Sequence, residues 1–274
     1  MDAGAGPGIG IFLSGGNAPR RPYDEDYDLL ALIDSQDPGP RGFAERVVVL
    51  MNAHIARRGL VTQYRLGERL GHFVATLDEL VGLLSGNEDE LFVDCCQLLG
   101  SRMIVGSRRV QDELHRRVLL PHVFARAGTF AARVAREIAE RRRSLPPPRP
   151  GILHLKEDPG GLREIDLALV VAKARLGVWE TLGPEPFADL AGRDPVRQQL
   201  YLGLAAVNDF LVAVRSAYCV AVAVTDEIER EQLAAPARML GHEGRGEGAR
   251  LFEDLVARLA QSAALVDRLS TASG

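Results

Sequence analysis

Asp26 and Asp28 stand two residues apart in the run Asp26-Tyr27-Asp28-Leu29-Leu30-Ala31-Leu32-Ile33, acidic at its start and apolar beyond, which reads as a β-strand. Side chains alternate between the faces of a strand, so both carboxylates share one face. Mg²⁺ takes hard oxygen ligands and commonly bridges one or two carboxylates to substrate phosphates, which makes Asp26 and Asp28 candidate ligands of Mg²⁺ or Mn²⁺ carrying a nucleoside triphosphate. Ten residues upstream, Ser14-Gly15-Gly16 closes a short apolar run. Glycines let backbone N–H groups approach phosphate oxygens closely, so Ser14, Gly15 and Gly16 are candidates for holding the triphosphate. The plain alternative is a solvated acidic turn, because Asp24, Glu25 and Asp34 lie close by.

A second segment, Ile152-Leu153-His154-Leu155-Lys156-Glu157-Asp158-Pro159-Gly160-Gly161-Leu162-Arg163-Glu164-Ile165, reads as a loop entering a helix. Gly160 and Gly161 would free backbone donors at a helix start whose dipole favours anions, and Lys156 and Arg163 add positive charge there. All four are candidate nucleotide-binding residues. Lysine occurs only at Lys156 and Lys173, against 31 arginines, so Lys156 suggests a place suited to a compact ammonium. A Pro-Gly-Gly turn before a capped helix is the alternative.

This segment resembles the L-K-E-x-P-G-G-L-R-[DE]-I signature of the bacterial PII uridylyltransferase family, whose relative, glutamine synthetase adenylyltransferase, carries a similar G-G-I-R-E-I. The likeness extends to Leu70 through Glu79, similar to that family's G-H-S-V-R-T-x-x-E, and to Leu99 through Gly106, similar to its E-S-R-L-L-x-G helix end. The Gly-Gly turn followed by D-x-D resembles polymerase-beta-like nucleotidyltransferases. The resemblance implies Mg²⁺-dependent transfer of a nucleoside monophosphate, with UTP as the substrate, to a hydroxyl of a PII-like signalling protein, and hence a role in nitrogen regulation.

The chain also departs from that pattern. The resemblance implies a third carboxylate on a later strand, and counting back from His72 reaches Arg65, with Glu68 the nearest acid and the third candidate catalytic residue beside Asp26 and Asp28. After the glycine pair the family's Y-G-R-x-E is replaced by Asn17-Ala18-Pro19-Arg20-Arg21. No adjacent His-Asp pair is present for a deuridylylating hydrolase. Two readings follow: a truncated nucleotidyltransferase acting on a protein, or a degenerate regulatory module that binds a nucleotide or a partner without turnover.

The elements that would position these residues point to an α+β protein. Strands are expected at residues 8 to 14, 26 to 33 and 60 to 66, with Asp37 through Pro40 breaking the chain before a helix from Phe43 to Arg58 and Gly59 as its C′ residue. Thr76 can cap a helix from Leu77. Helical patterns cover 88 to 99, 111 to 120, a face marked by Phe130, Val134 and Ile138, then 161 to 177, 200 to 224 and 249 to 269. A small mixed-sheet nucleotidyltransferase-like domain is thus expected over residues 1 to 70, incomplete at its front. A larger all-α domain would cover 71 to 274, divided by a Pro-rich connector at 144 to 150.

Bulk properties narrow the partners. A net charge of −4 over 274 residues argues against nucleic acid or an anionic membrane, and the apolar run from Leu211 to Val224 is interrupted and short of the ~20 residues of a membrane helix. Cys95 and Cys96 have no metal-binding spacing and read as core thiols, and with Cys219 they make an odd number that suits a reduced, cytoplasmic setting. His54, His115, His122 and His242 receive no chemical role, and Arg141-Arg142-Arg143 reads as a solvated helix end.

Overall fold

A computed structural model describes residues 8–14, 26–85, 88–180 and 185–271. Two apolar runs pair first: β1 (Ile9–Leu13) and β2 (Asp26–Ile33) are antiparallel, with Ile9 opposite Ile33 and Leu13 opposite Leu29. Helix α1 (Pro38–Ala56) starts ahead of Phe43, inside the segment expected to break the chain. Asp37 caps it, its carboxylate accepting the Gly39 N–H at 2.9 Å, and proline at the first helical position needs no N–H partner.

The third expected strand is cut short. β3 (Val61–Gln63) runs parallel to β2, then α2 (Arg65–Leu70) leaves the sheet and β4 (Val74–Thr76) resumes parallel pairing with Ala31 to Ile33. Asp26 pairs with a residue 35 positions later and Ala31 with one 43 later, so α2 is an eight-residue excursion from one strand edge. Tyr64 and Phe73 close its base with their rings edge to face at 5.2 Å. Helices α3 (Leu77–Leu84) and α4 (Glu88–Gly100) lead to β5 (Arg102–Gly106), antiparallel on the other side of β1. The sheet order is β3-β2-β1-β5, with β4 sharing the edge of β2, so β4 and β5 extend the sheet past residue 70.

Leu13, Leu29, Ala31 and Ile33 turn to α1, where Ala44 and Val48 meet them. Phe12, Leu30 and Leu32 are buried on the opposite face. There α5 (Arg108–Leu114) packs close enough that a Cβ on Gly10 would lie 3.1 Å from Val110. After α5 the helix widens to a π turn over His115–Leu119, with the Leu120 N–H on the His115 carbonyl, before α6 (Leu120–His122). Pro121 explains the widening, since in an α-helix it would lack its N–H and clash with the carbonyl four residues back.

The described residues up to Ala127 cluster as one compact unit and those from Gly128 as a second. The second contains α7 (Ala127–Ser144), β6 (Ile152–His154), α8 (Leu162–Leu176), α9 (Pro186–Arg193), α10 (Gln198–Ala221), β7 (Glu227–Glu229), α11 (Ala234–Met239) and α12 (Glu247–Thr271). Phe130, Val134 and Ile138 are buried along α7, as their spacing predicts. By length and composition alone α10 is apolar enough to cross a membrane. Within this unit it packs against α8, α9, α11 and α12 and buries Tyr201, Leu204, Val207, Leu211 and Val214. A two-stranded β6-β7 ribbon, absent from the helical expectation, is held by Arg215 of α10, whose Nε meets Asp226 at 2.5 Å. Mixed sheet first and helices after, the fold is α+β.

Candidate functional site

The D-x-D pair lies on β2 as expected, in unbroken register with β3: Asp26 beside Val61, Tyr27 beside Thr62, Asp28 beside Gln63. The Asp26 side chain, Gly15 and Gly16 lie outside the described part of the structure. Ser14 is brought to Asp28: its N–H donates to the Asp28 carbonyl at 2.8 Å and its buried hydroxyl to the same oxygen at 3.4 Å. The end of β1 is thereby fixed against the acidic end of β2, and one Asp28 carboxylate oxygen is shielded from solvent.

The face that β3 adds is settled by its neighbours. Thr62 and Tyr64 both donate to the Asn52 side-chain oxygen on α1, at 3.0 and 2.6 Å. Val61 and Gln63 therefore lie on the opposite face, which for Gln63 is the face of Asp28. The residue beside Asp28 is thus Gln63, and Arg65, which the count from His72 reached, opens α2 instead. The excursion was invisible to that count. Glu68 is exposed on α2, next to Arg69, which pairs with the buried Asp94 of α4. Burial raises the Asp94 carboxyl above its ordinary range despite that arginine.

Among the described residues no three His, Cys, Asp or Glu side chains gather to hold a metal. Of the D-x-D pair, Asp28 is the described side chain, and its carboxylate is of the hard-oxygen kind that suits a divalent cation.

In the second unit the Lys156 to Ile165 segment folds back on itself. The Gly161, Leu162 and Arg163 amides donate to the carbonyls of Asp158, Leu155 and Lys156 at 2.8, 2.8 and 3.1 Å, and the Gly160 amide to Glu164 Oε2 at 2.8 Å. The expectation of free backbone donors at Gly160 and Gly161 gives way to internal pairing. Both glycines are required sterically. A Cβ on Gly161 would sit 2.6 Å from the Leu155 oxygen, and one on Gly160, whose φ is +78°, would sit 2.0 Å from the Leu259 carbonyl of α12.

Arg163 is also engaged, its Nη2 and Nε meeting Glu157 Oε1 at 2.7 and 2.9 Å, with Arg141 on the other Glu157 oxygen. Burial pushes the Glu157 carboxyl up, but the hydrogen bonds and charges of Arg163 and Arg141 outweigh it and hold it below the ordinary range. Arg142 embraces Glu164 and reaches Asp267 at 2.9 Å. Arg141 and Arg142 are thus ion-paired to this segment and to α12, which corrects the solvated helix end expected from their run; both carboxylates are distant in sequence. Lys156, half-buried, makes no ion pair among the described residues.

The Gly71 to Glu79 stretch has a local structural role. Thr76 and Glu79 form a reciprocal capping box at the start of α3, and Glu79 also receives Arg41 at 3.0 Å and faces His72 Nε2 at 3.2 Å. Burial raises the Glu79 carboxyl, but the Thr76 amide and Arg41 more than offset it, leaving it below its usual range.

Comparison with known families places the chain among nucleotidyltransferase-family proteins. More particularly, residues 128–273 match the family model of the GlnD PII-uridylyltransferase, and with more than half of its length matched the chain belongs to that family. No curated protein matches it significantly. The match coincides with the second unit, which contains Lys156 to Ile165.

Proposed function

We propose that the chain binds a nucleoside triphosphate, UTP by family analogy, and transfers its nucleoside monophosphate to a hydroxyl of a partner protein such as a PII-type signalling protein. The observation that carries this is the Ser14 to Asp28 attachment, which sets the end of β1 against the D-x-D strand in a chain of the GlnD PII-uridylyltransferase family. Asp26 and Asp28 would hold Mg²⁺ or Mn²⁺, whose contribution when bound is to neutralise the triphosphate. The Ser14 to Gly16 turn would cradle phosphate oxygens. By the family resemblance Lys156 is a nucleotide-binding candidate of the second unit, on the loop that Gly160, Gly161 and Arg163 shape.

In the transfer, the acceptor oxygen bonds to the α-phosphorus as the bond to the bridging oxygen breaks, pyrophosphate leaves, and Glu68 takes the hydroxyl proton. Catalysis would consist mainly of positioning and charge neutralisation. A cytoplasmic setting and an exclusively protein acceptor belong to this same proposal. A second reading, a nucleotide- or partner-binding module without turnover, draws support from β3, where Val61, Thr62 and Gln63 offer no carboxylate.

Calorimetric titration of UTP and ATP, with and without Mg²⁺, tests the proposal. Binding is expected with Mg²⁺ and to be lost in the Asp26→Asn, Asp28→Asn double variant. No binding of either nucleotide sinks it. Binding without incorporation of labelled nucleotide into a PII-type protein leaves the second reading.

A further inference from the structure

We propose that Arg141 and Arg163 form a binding site for the phosphate chain of a nucleotide, and that Glu157 occupies it as a built-in competitor until that chain displaces it. The proposal rests on the nucleotide-binding reading above for its ligand, and it draws on residues of the second unit alone.

The two arginines converge on one carboxylate. Arg163 donates to both Glu157 oxygens, Nη2 and Nε to Oε1 at 2.7 and 2.9 Å and Nε to Oε2 at 3.1 Å, and Arg141 Nη2 donates to Oε2. Two positive charges thus face one negative, and Arg141 Nη1 stands 4.0 Å from Glu137, which also lies 3.6 Å from Arg133. Lys156, next along the loop, adds a third cation. The other arginine and glutamate pair of this segment, Arg142 with Glu164, is built differently: the Glu164 side chain is 6% exposed and also accepts the Gly160 amide, so it closes the fold. The Glu157 side chain is 27% exposed and those of Arg141 and Arg163 are 37% and 38%, so this pair opens to water and contributes little to stability. A carboxylate tethered beside its partners competes at an effective concentration on the order of millimolar, which a free carboxylate at lower concentration does not overcome. A phosphate chain does. Its greater charge and larger number of acceptor oxygens let it make charge-assisted hydrogen bonds to both guanidinium groups at once.

The test is calorimetric titration of the full chain with tripolyphosphate and with UTP, in EDTA so that no divalent metal takes part. Glu157→Gln is expected to bind both ligands roughly fivefold or more tightly than wild type, since the competitor is gone. Asp267→Asn removes a carboxylate from the neighbouring Arg142 instead and should leave both affinities close to wild type. Equal gains in the two variants, or no binding or no gain in Glu157→Gln, overturn the proposal. A gain for tripolyphosphate without one for UTP overturns the nucleotide as the source of the phosphate chain. Should Glu157→Gln fail to fold, Arg163→Gln decides: tripolyphosphate binding weaker than wild type is expected, and binding that is unchanged, or absent from the wild type, overturns the proposal. The D-x-D reading is tested with Mg²⁺ and through Asp26 and Asp28, so its failure is told apart from failure here.

Discussion

Arg142 and Glu164 face each other in a two-pronged pair, Nε to Oε1 and Nη2 to Oε2 both at 2.7 Å, and the same Oε2 accepts the Gly160 amide. Glu164 is 5% exposed, so this one carboxylate closes the loop before α8 and ties it to the end of α7. The hydrogen bonds that Arg142 donates to Glu164 raise its guanidinium above the usual range.

Removing that carboxylate strands a guanidinium and a buried amide together. Glu164→Ala is expected to lower the unfolding free energy by about 3 kcal/mol. Asp267→Ala, which removes the exposed partner of Arg142, should cost under about 1 kcal/mol. Urea denaturation of the two variants compares them. Equal losses would mean that the network acts as surface charge rather than as a buried closure.

Two glycines with similar backbone angles should respond differently to alanine. Gly59, at φ +75°, has open space around it, so Gly59→Ala carries only the left-handed backbone cost of about 1 kcal/mol. Gly160, at φ +78°, lies against the α12 backbone, so Gly160→Ala must also push α8 and α12 apart. We expect a loss of over about 3 kcal/mol. Thermal melts showing the same shift for both would refute the close-approach account.

Why some elements were legible and others not follows from length and range. β2 announces itself through an apolar run, α7 through Phe130, Val134 and Ile138, and α3 through the Thr76 cap, all signals carried by neighbours in sequence. β3, β4, β6 and β7 are three-residue strands, too short for a period to develop, and each forms only because a distant strand edge is there to pair with. The D-x-D pair could be read from spacing alone. Its neighbour Gln63 could not, since the α2 excursion alters the count that would locate it. Likewise Glu157 and Glu164 read as incidental acids beside Lys156 and Arg163 until α7 brings Arg141 and Arg142 to them.

The Thr76 and Glu79 box gives a pH-dependent expectation. Glu79 titrates below its usual value when folded, so its contribution is present above the unfolded value of about 4.5 and is lost as pH falls through the lower folded value. Thr76→Ala should cost about 1 kcal/mol at pH 7. Glu79→Gln should also cost stability at pH 7, with the gap to wild type closing at acid pH. A gap constant from pH 7 to pH 3, measured by chemical denaturation, would show that the carboxylate's charge is immaterial.

At Lys173 the charge costs stability instead of supplying it. Burial in α8 pushes its ammonium down to about 8 from the ordinary 10.5, while the charges of Glu180 and Asp189 pull it back up. An unfolded chain keeps that proton to about pH 10.5, so between these values unfolding takes up a proton and stability rises with pH; below pH 8 the burial penalty is present in full. Lys173→Met keeps the volume and removes the charge, and it leaves Glu180 exposed to water and Asp189 with Arg193. The variant should be more stable than wild type by about 2 kcal/mol at pH 7, with the advantage shrinking towards pH 10. Melting temperatures of both proteins at pH 7 and pH 9.5 decide it, because an advantage that does not shrink would show Lys173 to be charged at both values.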